Sequence, residues 1–263
     1  MTRCLRLVTF GAFCLLGTAG CGPRISQVPR VPVAPENVPK ASVAIREADT
    51  LMSRGETYAA LIKYLEASKL NPNSEIIFNK VAIAYTKLNY YDRATEAAMR
   101  SLGLNRKYAF GYNTLGTIQL VQHKARAAIR NFRRAISLND RVAFFYLNLG
   151  NAYLEQKKGD SAMKAFHEAL SIDPLVMSRQ AGVGVQATSA QFNDAKRDYY
   201  LARVFAERGQ DDLALELLKR AFANGFTDLE RIMKDKEFDR LRGSKEFKEL
   251  LEEYGLVAKT LKS

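Results

Sequence analysis

A chain of 263 residues, 47% hydrophobic and 26% charged, carries enough apolar side chain for a sizeable core and excludes a disordered or collagen-like polymer. Its formal charge of +12 favours acidic or polyanionic partners without choosing among them. All three cysteines, Cys4, Cys14 and Cys21, fall at the N-terminal end, so the remainder of the chain can form no disulfide and has no thiol chemistry.

Taken in order, the chain opens with Arg3 and Arg6 ahead of an apolar run from Leu7 to Leu16. That run is too short to span a bilayer and suits the apolar stretch of an export signal. It leads into Leu16-Gly17-Thr18-Ala19-Gly20-Cys21, which resembles a bacterial lipoprotein signal, departing from it at Thr18, where Leu is commoner. The resemblance implies that residues 1–20 are removed and that Cys21 is lipidated as the first residue of the mature chain. Gly22 stands where an inner-membrane retention Asp would be, so the same resemblance implies an outer-membrane location facing the periplasm. Each buried methylene of the acyl chains contributes roughly 0.8 kcal/mol to such an anchor. Residues 21–40 then hold Pro23, Pro29, Pro32, Pro35 and Pro39, which disfavour helix and read as an extended tether. At about 3.1 Å per residue it would reach roughly 60 Å. A ligand for a proline-recognition domain is the alternative for this stretch.

From residue 41 to 176 the sequence repeats with a period of 34 residues. Ala48, Ala82, Gly116 and Gly150 form one column, and Ala60, Ala94, Ala128 and Ala162 a second. Tyr64, Ala98, Phe132 and Phe166 form a third. Each period reads as two amphipathic helices, and the paired small residues let their backbones approach while the rings fill the space beside them. One such pair cannot bury its faces alone and needs its copies.

This small/aromatic pattern closely resembles the tetratricopeptide repeat. It departs from the family pattern at Gln119, where an aromatic is usual, and at Arg106 and Asp140, where Pro72 and Pro174 carry the usual residue. The resemblance implies an all-α, right-handed superhelical solenoid of helix pairs. Four repeats over 41–176 are followed by an insertion at 177–194, with Gly182 and Gly184 as a corner. A fifth repeat over 195–228 has Leu201, Ala202, Phe205, Gly209, Ala214, Leu218 and Ala221 in the matching places. Residues 229–263 no longer repeat and read as capping helices, with Ser244 as N-cap and Phe247, Leu250 and Leu251 on the buried side.

In this family the first helix of each pair lines a concave groove. The resemblance implies an inner wall here of Ile76, Asn79, Ile83, Phe110, Asn113, Thr117, Leu120, Phe144, Leu147, Asn151 and Leu154. Apolar anchors between amides suit an extended peptide or a helix, because an amide both donates to and accepts from a backbone. The family's carboxylate clamp of Lys, Arg and Asn is not reproduced: its places hold Ile45, Asp49 and Lys80. The second helix of repeat three is basic, and Arg126, Arg130, Arg133 and Arg134 recur at helical spacing on a face able to meet phosphate or carboxylate. Export argues against nucleic acid as its partner. Only His123 and His167 occur, in different repeat phases, and no nucleophile motif marks a serine, so neither metal, cofactor nor catalysis is expected. The resulting expectation is a lipid-anchored envelope adaptor that holds a protein or peptide in its groove. Pilotins and protease adaptors share this layout. The alternative is a polyanion-binding envelope anchor that uses the basic face of repeat three.

Overall fold

The computed structural model describes residues 25–176 and 194–256, and these form an all-helical solenoid with no strand among the described residues. Five helix pairs follow one another. They are α1 (Asn37–Ser53) with α2 (Thr57–Leu70), α3 (Glu75–Lys87) with α4 (Tyr91–Leu104), and α5 (Ala109–Val121) with α6 (Ala125–Leu138). Next come α7 (Ala143–Glu155) with α8 (Gly159–Ile172) and α9 (Asp194–Glu207) with α10 (Asp211–Ala223). The end is covered by α11 (Leu229–Lys234), a short 3-10 turn, α12 (Asp239–Arg242) and α13 (Lys245–Glu253). The lipoprotein-type signal, Cys21 and the insertion glycines Gly182 and Gly184 lie outside the described residues.

Within each pair the alanine column sits at the contact: Ala60, Ala94, Ala128, Ala162 and Ala214 are all fully buried. In repeats three and four the facing position is glycine, because a ring fills the gap. A Cβ at Gly116 would fall 2.7 Å from Phe132, and one at Gly150 would fall 2.2 Å from Phe166. The turn inside each pair is the same device five times. Gly55, Asn89, His123, Lys157 and Gly209 all have positive φ, between 58° and 80°. The following N–H closes the first helix by bonding back to Leu51, Tyr85, Gln119, Tyr153 and Phe205 oxygens at 2.8–3.0 Å.

Between repeats, an Asx side chain accepts from the N–H two residues on: Asn71 from Asn73, Asn105 from Lys107, Asn139 from Arg141 and Asp173 from Leu175, at 2.9–3.2 Å. The turns that lack proline, at Arg106 and Asp140, are therefore closed the same way as those that have it. Gln119, standing where an aromatic is usual, accepts from Asn131 Nδ2 at 2.7 Å, which satisfies its amide oxygen.

Two features depart from a plain array. The Pro-rich stretch is not a free tether over the described residues. Val28 N–H donates to the Gly103 carbonyl at 3.1 Å, Arg106 donates to the Ile25 carbonyl at 3.1 Å, and the Asn73 amide both donates to and accepts from the Val31 backbone. Gly103 permits this approach, since a Cβ there would lie 2.6 Å from Ser26 O and Val28 Cγ2. The segment thus straps across the edge of repeats three and two before entering α1, and a reach of 60 Å is corrected to the few residues ahead of Ile25.

The second departure is the joint before α9. Gly111, at the start of α5, abuts Leu102, near the end of α4, as antiparallel neighbours do. At the later joint, Gly159 meets Tyr200 and His167 meets Glu207 at 2.7 Å, so the contacts advance in the same sense along both helices. Helix α9 therefore does not lie antiparallel to α8. The core follows α5, which gives Leu115 and Ile118 to a cluster reaching back to α1 and Leu120 to one reaching forward to α13.

The cap has the sequence-derived polarity. Ser244 Oγ accepts from Phe247 N–H at 3.2 Å, and Phe247, Leu250 and Leu251 are buried.

Candidate functional site

The inner wall is carried by α3, α5 and α7, whose equivalent positions stack in rows. At the rim, Ile76 is 48% exposed, and Phe110 and Phe144 are half-buried. The two rings lie 5.9 Å apart, and both lean edge-on against the buried Phe145, at 5.3 and 4.9 Å. Tyr108 extends this cluster at 5.8 Å from Phe110. Its hydroxyl is pushed up to about 12 by burial and by the nearby Glu75 carboxylate, against a lowering hydrogen bond from Asn79. A pair of rings held by a third, with one face open, is a rigid apolar platform.

Beneath the rim the wall becomes polar. Asn113 is only 2% exposed and accepts from Asn148 Nδ2 at 2.9 Å, so its acceptor is taken inside the protein. Asn79 Oδ1, Thr117 Oγ1 and Asn151 Oδ1 are buried and find no partner. They sit on three successive first helices, with Thr117 and Asn151 in equivalent places. Each unpaired buried polar atom costs about 1–3 kcal/mol. All three atoms lie below the surface, with Thr117 fully buried and Asn79 only 5% exposed, so they belong to the interior of the wall and not to its open face.

Leu120 does not belong to this wall. It is fully buried between α5 and α7 as part of the forward core, because α5 packs against both neighbouring repeats and has no open side at that phase. Leu147 is likewise interior, and Ile83, Asn151 and Leu154 are half-buried. Asn148 and Tyr108 were not singled out by sequence. Asn148 lies one residue beyond the apolar Leu147, and only the pairing across the repeat joint reveals its role.

Leu154 opens the far end of the wall into a cleft of about 730 Å³ at the α8–α9 joint. Lys157, Lys158, Gly159, Tyr200, Phe226 and Arg231 contribute to its lining, and Arg231 donates to Tyr200 Oη at 2.5 Å. At the other end the clamp positions are occupied against anions. Asp49 pairs with Lys80 at 2.7 Å and accepts from Tyr64 Oη at 2.5 Å, a hydroxyl whose pKa is raised first by burial and then by that carboxylate.

On the outer side, Arg126, Arg130, Arg133 and Arg134 of α6 are exposed. Arg133 bends into the α6–α7 joint, donating to Tyr153 Oη at 2.6 Å, and Arg134 lies over the Tyr112 ring. His123 and His167 each face a glutamate, Glu155 and Glu207, in separate repeats. Among the described residues no group of three or more His, Cys, Asp or Glu side chains is placed to hold a metal, and no described helix is long and apolar enough to cross a membrane.

The fold and its wall define a helical-repeat protein. The sequence profile of the tetratricopeptide repeat matches residues 143–174, which are α7 and α8 with their flanking turns. Residues 143–174 thus carry a tetratricopeptide repeat, and the other helix pairs share its fold. Human serine/threonine-protein phosphatase 5 is 29% identical over 105 residues, covering 37% of this chain and 21% of the phosphatase. Small glutamine-rich tetratricopeptide repeat-containing protein 2 of Saccharomyces cerevisiae is 27% identical over 99 residues, 38% of this chain and 29% of that protein. The chain thus spans less than a third of the length of these curated relatives. Among solved structures, pilF of Pseudomonas aeruginosa superposes with a TM-score of 0.56 at 18% identity, over 83% of this chain and 99% of that one. A thermophilic repeat protein of Thermus thermophilus gives 0.52 at 20% identity, over 80% of this chain and 98% of that one. At these identities the likeness is one of fold.

Proposed function

We propose that this protein is a non-enzymatic adaptor of the cell envelope, held to the outer membrane by a lipid on Cys21 and facing the periplasm. It binds an extended segment or helix of a partner protein along the α3–α5–α7 wall. The observation that carries this reading is the half-open Phe110–Phe144 platform beside the exposed Ile76. Apolar side chains of the partner would rest on the rings and on Ile76, beside the half-buried Asn151 and Leu154. The mechanism is placement: the lipid fixes the chain to a surface, and the wall selects what is brought there. Assembly of an envelope complex, in the manner of a pilotin or a protease adaptor, is the role this placement serves.

Photo-crosslinking in intact envelopes tests it. A crosslinker at Ile76, Phe110 or Phe144 is expected to capture a discrete partner, and Phe110→Ala with Asn151→Ala to lose at least about ten-fold in affinity, as anchor residues do. Salt separates this from polyanion binding by α6, since groove contacts made by apolar anchors hold at high salt while exposed charges are screened. Equal capture at Ile76 and at Arg126, or loss of binding on raising salt, rejects the groove.

A further inference from the structure

We infer that the strap and the turn edge of repeats three and four form a surface that meets an anionic lipid bilayer, fixing how the array stands on the membrane. This deepens the anchored reading and rests on it for the source of the lipid, but the surface itself is built from described residues.

The strap sets the geometry. Ile25 is held by Arg106, Val28 by Gly103 and Val31 by Asn73, so the chain runs backwards along the array edge from repeat two to repeat three as it is followed toward its N-terminus. Cys21 is four residues before Ile25. Even fully extended, four residues span at most about 14 Å. A lipid on Cys21 would therefore hold the α4–α5 turn within about that distance of the headgroups, wherever the first residues point. A free Pro-rich tether would have left the orientation open.

The charge at that edge fits such a surface. Arg106 and Lys107 lie in the α4–α5 turn, Arg141 occupies the equivalent place to Lys107 in the α6–α7 turn, and all three are exposed. Arg134 reaches the same end of the array, since its guanidinium lies 5.8 Å from the ring of Tyr112, in the first turn of α5. Arg30 of the strap is exposed as well. Among the described residues none of these five cations is ion-paired with a carboxylate, unlike Lys63 with Glu47, Lys80 with Asp49, Arg203 with Glu237 and Arg240 with Asp211. From Asn105 to Arg141 the only carboxylate is Asp140. The nearby Glu75 is engaged by Asn105 Nδ2 at 2.9 Å. Near an anionic leaflet each such cation is worth roughly a five-fold gain in partition, within a Debye length of about 8 Å.

The test uses the full mature chain with Cys21→Ser, so that lipid attachment cannot supply the binding, and vesicles of phosphatidylcholine with or without phosphatidylglycerol. Cosedimentation at low salt is expected to favour the anionic vesicles at least about ten-fold, to fall as salt rises, and to be lost when Arg106, Lys107, Arg134 and Arg141 are all changed to Gln. The groove variant Asn151→Ala should bind vesicles as the parent does. Equal binding to both vesicles, an unaffected four-Gln variant, or retention on heparin with no vesicle binding overturns the surface. The orientation is tested with the native chain on anionic vesicles. Trypsin should spare the Arg106–Lys107 turn, and Gly103→Val, which displaces the strap, should expose it. Equal cleavage in both overturns the strap's role. Mass spectrometry of the N-terminal peptide keeps the two readings apart. An unmodified Cys21 with phosphatidylglycerol-dependent binding removes the anchor and leaves the surface, whereas a lipidated Cys21 without that dependence removes the surface alone.

Discussion

In repeats one to four the buried face of each second helix is alanine with aliphatic and, in three of them, aromatic neighbours, and the buried polar side chains are neutral, such as Asn113, Thr114 and Asn148. In the fifth repeat α9 alone buries Arg197, Asp198 and Arg203. Asp198 meets Arg197 and Arg220 at 3.1 Å each, and Arg203 meets Glu237 and Asp235 of the cap at 2.9 and 3.2 Å. The difference teaches how register is set. Successive identical joints fit by shape, because each pair presents the next with the surface it was itself built on. Helix α9 enters after a break and is not antiparallel to α8, so no inherited surface guides it. Charged pairs instead fix it to α10, through Asp198 and Arg220, and to the cap, through Arg203 and Glu237.

The largest effect should come from breaking that seat. Asp198→Ala removes the fully buried carboxylate between Arg197, which keeps Asp194 at 2.8 Å, and the half-exposed Arg220, so the cost falls at the low end of the range for a broken buried pair, about 3 kcal/mol. Repeat five and the cap should then unfold first in urea, seen as a second transition and as early hydrogen exchange in α9 to α13, with α1 to α8 still protected. A single transition shifted as a whole would mean that the two regions are one cooperative unit.

Shape in the regular repeats gives the next effect. Gly150→Ala places a Cβ 2.2 Å from the Phe166 ring, and overpacking of this kind costs about 1–3 kcal/mol. Repeat two holds Ala82 against Ala98 at the matching places, so Phe166→Ala, which alone costs about 3–5 kcal/mol as a cavity, should cost less in the Gly150→Ala background than in the native chain. Thermal melts of both single variants and the double variant check the coupling.

Charge in the cap makes the third contrast dependent on pH. Burial and the Glu237 carboxylate push Asp235 up to about 6, against the pull of Arg242. Its folded value lies above that of an ordinary carboxylate, so the folded state binds the proton more tightly. The stability this group contributes is full below about pH 4 and is lost as pH rises to about 6. Asp235→Asn removes that slope. The wild-type Tm should fall relative to the variant across this window, by an amount equivalent to about 1 kcal/mol.

The same comparison explains what the sequence could disclose. The array was legible because one spacing of alanine, glycine and ring recurs, and each recurrence confirms the previous one; Ala60, Ala94, Ala128 and Ala162 could hardly be anything but a contact. The α9 seat was not, because Arg197, Asp198 and Arg203 read as solvated helix residues until the partners Arg220 and Glu237 are brought to them. The wall was half legible. Phe110 and Phe144 carry the 3.6-residue phase of an inner face, but Leu120 shares that phase and is covered because α5 is packed from both sides. The strap left no sign: Gly103 falls inside a helix and Asn73 in a turn, and nothing local says that a segment far earlier in the chain lies against both.

The smallest expected effect concerns the turn that all five repeats share. Gly55 and Gly209 take positive φ without a Cβ, whereas Lys157 adopts φ 59° as an ordinary L residue. That conformation costs such a residue about 1–2 kcal/mol, of which glycine's greater unfolded entropy returns roughly 0.5–1. Lys157→Gly should therefore stabilise repeat four by about 0.5 kcal/mol, and Gly55→Ala should destabilise repeat one by somewhat more. The comparison sharpens if both are read by local hydrogen exchange. A gain at α7 and α8 that does not spread to α9 would show that the joint after repeat four transmits less than the joints before it, as expected where the repeated antiparallel contact is interrupted. Equal protection on both sides would mean that α8 and α9 are as tightly coupled as α4 and α5.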